Sequence, residues 1–291
     1  MWLNFSEIEV VVLVRLCEGS ASPGNLAQAL GKKNSFISRA IGKLLGKGMI
    51  AKNGHEISLS NAGHAQSFKK LYDSRPNAKI ETWLCGSAMD ILIVLAGFES
   101  GANLDALAGE VACSKPTMFK TLKAFYSAGA ASKVEGRAQI SDSFVREFAE
   151  SYANSLHQML VSKAKGHNVS IRVRKRAVVR TDAKEVPEFF TETGINALMK
   201  LGLDAMKTSY DDYFFNLDME KKSIGAEEAF MHALLLTTIQ QHQDKTVLAL
   251  FMHKNRGKLN IGRLRELAKQ YHVENELATM RQALDYVEKV G

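Results

Sequence analysis

The sequence predicts a mostly helical α+β chain. A unit of three helices and a strand hairpin comes first, then a second copy of it, then a mixed α/β C-terminal segment. Three observations predict this. Amphipathic helical patterns followed by an Asn-Gly hairpin signal occupy the N-terminal part. The same order of patterns returns about eighty residues later. Long period-two alternation enters only after Asn168.

The first helix runs from Ser6 to Glu18, with apolar Ile8, Val11, Val12 and Leu16 and Ser6 as a cap. "SPGNLAQALG" is a short second helix, with Pro23 suited to its first turn and Gly31 to its exit. Asn34 or Ser35 opens a third helix that ends at Gly48. Its apolar stripe is Phe36, Ile37, Ala40, Ile41, Leu44 and Leu45, and its other face carries Ser35, Ser38, Arg39, Gly42, Lys43 and Gly46. "MIAKNGHEISLS" then gives two short strands around Asn53-Gly54. Three helices followed by such a hairpin make a winged helix-turn-helix.

The second copy consists of "GSAMDILIVLAGFESG", "NLDALAGEVAC", "SKPTMFKTLKAFYSAG" and the hairpin "ASKVEGRAQIS". Asn25-Leu26 matches Asn103-Leu104. Ile37, Ile41, Leu44, Leu45 and Gly48 match Met118, Leu122, Phe125, Tyr126 and Gly129, and Ile57-Ser58 matches Ile140-Ser141. These offsets differ by a few residues, which small insertions would explain. Phe119 falls where Ser38 sits, either as core on a rotated helix or as an exposed apolar contact.

A long helix spans Ser143 to Val161. "NVSIRVRKRAVVRTD" alternates as one strand, with Ile171, Val173, Ala177 and Val179 on one side and Arg172, Arg174, Arg176 and Arg180 on the other. "EVPEFFTETGINALMKLGL" is expected to be helical and "YDDYFFNLDM" a strand, with Asp211 and Asp212 in a solvated turn. Three helices close the chain: Gly225 to Gln241, Lys245 to Lys254, and Asn260 to Val287 with a break near His272. The expected domains are therefore 1–76, 77–161 and 162–291.

The chain has 291 residues, 46% of them hydrophobic, which is ample for real cores. Its net charge of +7 is local: +5 over residues 1–76, −2 over 77–161, +7 over 162–180 and −3 beyond. Cys17, Cys85 and Cys113 form no CxxC pair, and no signal peptide or membrane-length apolar run occurs, so a cytoplasmic protein with reduced thiols is expected.

With "NLAQALGKKNSFISRAIGKLLGKGMI" and its second copy in hand, residues 1–161 resemble the tandem winged-helix transcriptional regulators of archaea and bacteria, MarR/ArsR-like in the broad sense. The C-terminal region is faintly similar to AbiEi-type antitoxins. The matching pieces are "FFTETGINALMKLGL", the strand "DDYFFNL" and the helix "IGAEEAFMHALL", with His232 where that family has an acid. The first resemblance implies duplex-DNA binding. The second implies operon autorepression together with binding of a nucleotidyltransferase toxin.

Catalytic motifs are missing from the sequence. There is no GxxxxGK[ST], HExxH or GxSxG, and His232, His242 and His253 are too dispersed for a metal site. No enzyme activity, metal or cofactor is expected. The segment Gly31 to Gly48 holds no acidic residue but carries Lys32, Lys33, Arg39, Lys43 and Lys47. It begins at a helix N-terminus, where amides favour phosphate, and it offers Asn34, Ser35 and Ser38 for hydrogen bonds. DNA contact is therefore expected from Lys32, Lys33, Asn34, Ser35, Ser38, Arg39 and Lys43, and from Lys52 and His55 on the first hairpin. The second copy would add Lys115, Thr117, Lys120 and Lys123 from its third helix and Arg137 from its hairpin.

Arg172, Arg174, Arg176 and Arg180 need a counter-charge, which could be nucleic acid, an acidic partner such as the chain's own Glu-rich C-terminal helices, or solvent. The last helices have helix-turn-helix-like spacing, but Glu274, Glu276 and Asp285 sit where phosphate would approach. That suits a protein partner or a plain helical cap. The function expected is a sequence-specific double-stranded DNA-binding regulator, alone or as a homodimer, with no membrane role. An antitoxin-like protein and an RNA-binding factor are the alternatives.

Overall fold

Ser6 opens α1 (Glu7–Cys17) by donating its backbone N–H and its hydroxyl to Glu9 Oε2 at 2.7 and 2.6 Å. Ser22 caps α2 (Pro23–Ala29), with Pro23 in the first turn. After α3 (Asn34–Gly46), Gly48 takes φ +67° and turns the chain into the antiparallel hairpin of β1 (Ile50–Asn53) and β2 (Glu56–Leu59). A further helix, α4 (Gly63–Asp73), follows. The computed structural model describes residues 2–206, 208–239 and 245–290. The chain divides into two units, Met1–Leu156 and His157–Gly291.

The order then repeats as α5 (Ala88–Ala96), α6 (Leu104–Ala108), α7 (Lys115–Ser127), β3 (Ala131–Val134), β4 (Arg137–Ile140) and α8 (Ser143–Val161), the first unit ending within α8 at Leu156. The shifting offsets expected from sequence give way to one offset of 81 residues. It relates α3 to α7, β1 to β3 and β2 to β4. It also relates the bridge Ala21–Ile57 to the bridge Ala102–Ala138. Leu26 therefore corresponds to buried Leu107; Leu104, which shares the Asn-Leu dipeptide, is exposed. Phe5, Phe68, Phe148 and Tyr152 pack face and edge at 5.1–6.4 Å, joining elements of both copies in one aromatic core.

The apolar stripe of α3 is narrower than expected. Ile37, Ala40, Ile41 and Leu44 are buried, whereas Phe36 and Leu45 are exposed. Lys47 departs more: it is buried, and its ammonium donates to Glu9 Oε1 at 2.8 Å and to the Asn4 carbonyl at 2.7 Å.

The second unit holds an antiparallel sheet in the order β5-β6-β8-β7, formed by β5 (Asn168–Val173), β6 (Arg176–Thr181), β7 (Thr191–Glu192) and β8 (Asp211–Asn216). Its helices are α9 (Gly194–Lys200), α10 (Ala226–Ile239), α11 (Lys245–Lys254), α12 (Ile261–Tyr271) and α13 (Glu274–Val290). Val178, Leu198, Phe214, Phe230, Leu234 and Leu267 belong to its core. His272 takes φ +57° and breaks the last two helices apart at the expected place. Of the expected Gly225–Gln241 helix, Gln240 and Gln241 lie outside the described residues.

Two sequence expectations fail here. The arginine-rich stretch is a hairpin rather than one strand, turning at Arg174-Lys175 with Arg174 at φ +55°. The segment 185–203 is helical only over α9, because Phe190 stacks flat on Phe215 at 4.7 Å and Thr191–Glu192 pairs with β8. Among the described residues no helix is long and apolar enough to cross a membrane.

Candidate nucleic-acid interface

Helix α3 is held down by Ile37, Ala40, Ile41 and Leu44, so its other side is presented outward. Lys32, Lys33, Asn34, Ser35, Ser38, Arg39 and Lys43 are all exposed there. Lys33 is the N-cap, no side chain caps the helix, and its first turn holds no acid. Its leading amides and partial positive charge therefore remain available to an anion. Among the described residues, no carboxylate pairs with Lys32, Lys33, Arg39 or Lys43. Arg39 folds back along the first turn. Its Nε donates to the Ser35 carbonyl at 3.2 Å, and its guanidinium lies 4.9 Å from the Phe36 ring centre.

Gly42 and Gly46 complete this face. A methyl group built on either would meet nothing within 4 Å, so internal packing does not require glycine at these positions. The hairpin beside the helix turns at Gly54 (φ +61°) and exposes Lys52 and His55.

The second copy is more self-contained. Ser114 caps α7, accepting from the Thr117 N–H and lying 2.9 Å from the Thr117 hydroxyl. Lys115 pairs with Asp105 at 2.8 Å; this pair raises the lysine pKa and lowers that of the carboxyl. Lys120, Lys123 and Arg137 are exposed, and no carboxylate among the described residues pairs with them.

The C-terminal arginines do not share a face. The two-residue turn changes the phase of the alternation, so cross-strand register places Arg176 and Arg180 with Val178, Ile171 and Val173. Arg172 lies opposite Ala177 on the other face, and Arg174 sits in the turn. Arg180 is buried and grips Asp212 at 2.7 and 2.8 Å. Asp212, expected in a solvated turn, is a buried strand residue that also accepts from the Ile195 N–H at 3.1 Å. Arg176 lies 3.8 Å from Glu228.

Sequence inspection missed a buried polar chain in this unit. The Thr193 hydroxyl meets His232 Nδ1 at 2.7 Å, His232 Nε2 meets the Tyr271 hydroxyl at 2.7 Å, and that hydroxyl donates to Glu228 at 2.8 Å. Burial, with Arg176 nearby, pushes His232 down to about 3, so the ring is neutral. Both ring nitrogens are engaged, which leaves none for a metal. The signal available in sequence was a single histidine in the apolar run of α10. Among the described residues no three His, Cys, Asp or Glu side chains are grouped to hold a metal ion.

No known protein family, curated protein or solved structure matches this chain.

Proposed function

We propose that this chain is a sequence-specific double-stranded DNA-binding transcriptional regulator of the cytoplasm. Its two repeats act as winged helix-turn-helix units, and α3 enters the major groove. One observation carries this reading: α3 presents unpaired cations, short polar side chains and two glycines on a single outward stripe. Glycine inside a helix costs about 1 kcal/mol relative to alanine. Nothing in the fold offsets that cost at Gly42, whereas a partner approaching the backbone closely would; Gly46, the last residue of the helix, carries less of it. Ser35, Ser38 and Arg39 lie in the first turns, where base edges are met. Lys32, Lys33, Lys52 and His55 flank them at phosphate positions.

Selection of bound duplexes from a random pool tests this reading. A defined motif should emerge, and its affinity should fall steeply between about 50 and about 200 mM salt. An unenriched pool with a flat salt response refutes it.

A second reading has one observation in its favour. An open groove between α11 and α13, lined by Ala249, Leu250, Met280, Ala283 and Leu284, offers apolar surface to a protein. In that reading the chain represses its own operon through α3 and binds a nucleotidyltransferase through this groove. Co-purification of such a protein, lost in Leu250→Glu, supports it.

A further inference from the structure

We propose that α7 recognises the 5-methyl group of thymine through Phe119. This rests on the duplex-DNA reading above and assigns the second copy a different role from the first.

The placement follows from the repeat. Met118, Leu122 and Phe125 are the buried counterparts of Ile37, Ile41 and Leu44, and Gly129 at φ +66° repeats Gly48 at φ +67°. The helices are therefore in register, and Phe119 occupies the place of Ser38 in the second turn of the outward face. The residue is 62% exposed. The helix meets its packing needs without it, so the ring stands in water on a face that elsewhere carries Lys120 and Lys123.

Charge selects the occupant. No acidic residue lies in α7, Lys120 and Lys123 are unpaired among the described residues, and the adjoining hairpin exposes Lys133 and Arg137 against the single acid Glu135. Such a surface suits a polyanion. A phenyl ring cannot hydrogen-bond a base edge. The apolar feature that the major groove offers is the thymine methyl group, for which phenylalanine is an established match. The Ser114 cap and the Lys115–Asp105 pair take up groups that serve the anion in α3. Fewer anion-binding groups therefore stand open at the start of α7 than at the start of α3, and Phe119 adds a base contact there. The two copies then read unlike half-sites, and the target is an asymmetric sequence rather than a direct repeat.

The test uses the duplex recovered from the random pool, resynthesised with uracil in place of thymine. Pairing is kept and only the methyl groups are lost. The intact chain should bind the uracil duplex about fourfold more weakly for each methyl it covers. Phe119→Ser should melt like the intact chain and bind both duplexes alike. Single thymine-to-uracil changes should place the sensitive position outside the half-site altered by Arg39→Ala. Equal binding of both duplexes by the intact chain overturns the proposal, as does a thymine preference that survives in Phe119→Ser. So does a Phe119→Ser variant that turns a dimer into a monomer, since the ring then serves a second copy of the chain. Failure to enrich any duplex overturns the regulator reading as well, and is distinguishable because no salt-sensitive binding is then seen.

Discussion

Glu9 and Lys47 face each other at 2.8 Å with both side chains 2% exposed. The pair ties the first turn of α1 to the C-cap of α3. Burial pushes the Glu9 carboxyl up, but hydrogen bonds from Lys47 and Ser6 outweigh it and leave the group below its ordinary value. Burial lowers the Lys47 ammonium more than Glu9 raises it. The pair thus sets the seating of α3 and takes no part in its exposed face.

Lys47→Met should cost about 3–5 kcal/mol, because it strands a buried carboxylate. Glu9→Gln combined with Lys47→Met should be milder than Lys47→Met alone, since no charge is then left unpaired. Chemical unfolding of the single and double variants checks this. Duplex affinity per folded molecule should be unchanged in each, in contrast to Arg39→Ala.

In the second unit, Arg180→Met should cost a similar amount, about 3–5 kcal/mol, by leaving Asp212 unpaired in the sheet. Gly194→Ala should be as damaging. Gly194 has φ +59°, and an added Cβ would lie 2.3 Å from Asp212 Oδ2. Thermal melting reads both. Neither should alter duplex affinity at a temperature where the variant stays folded, because Arg180 serves its own unit.

A pH dependence follows from two histidines. Burial, with Arg172 nearby, lowers His157 to about 4, and burial lowers His232 to about 3, both from 6.5. Both folded values are depressed, so the unfolded chain takes up these protons first as pH falls. The stability they contribute is complete above about pH 6.5 and is lost toward 4 and 3, at no more than about 1.4 kcal/mol per pH unit for each group. His157 stacks on Phe215 at 6.1 Å, and its Nε2 makes no hydrogen bond, so His157→Phe keeps the packing. That variant should lose less stability than the parent between about pH 7 and about pH 5 by denaturant titration. A steeper loss would contradict the assignment.

The three helices and the hairpin of each repeat were legible because their boundaries carry local chemistry: Ser6 as a cap, Pro23 in a first turn, Gly48 and Gly54 at positive φ. Helix α4 was not read from sequence, since it opens on Ala62, which has no side chain to cap it. The arginine hairpin was not legible, because its turn is Arg174-Lys175. Neither residue is a turn former, and the apolar alternation runs on through them. The burial of Lys47 could not be read either, since its partner lies 38 positions away and each residue alone looks like an ordinary surface charge. The polar side of α3 was readable from its period, whereas the exposure of Phe36 and Leu45 was not. The division of the arginines between two faces depended on the turn, and so was lost with it.

Gly42→Ala and Gly46→Ala separate fold from function most directly. Gly42 lies inside α3 and Gly46 is its last residue; both have open space around them, and neither has a positive φ. Alanine is the better helix former, so Gly42→Ala should raise stability by about 0.5–1 kcal/mol and Gly46→Ala, at the helix end, by less. If the backbone here meets the groove wall, the added methyl intrudes on the partner alone. Duplex affinity should then fall while the melting temperature rises. Gly257→Ala, another site where a Cβ meets nothing, lies on the far side of the chain sequence and should leave affinity untouched. Melting curves and duplex titrations on the same three proteins decide the matter. If Gly42→Ala and Gly46→Ala bind as well as the parent, close approach is not what those glycines are for, and α3 does not dock along this stripe.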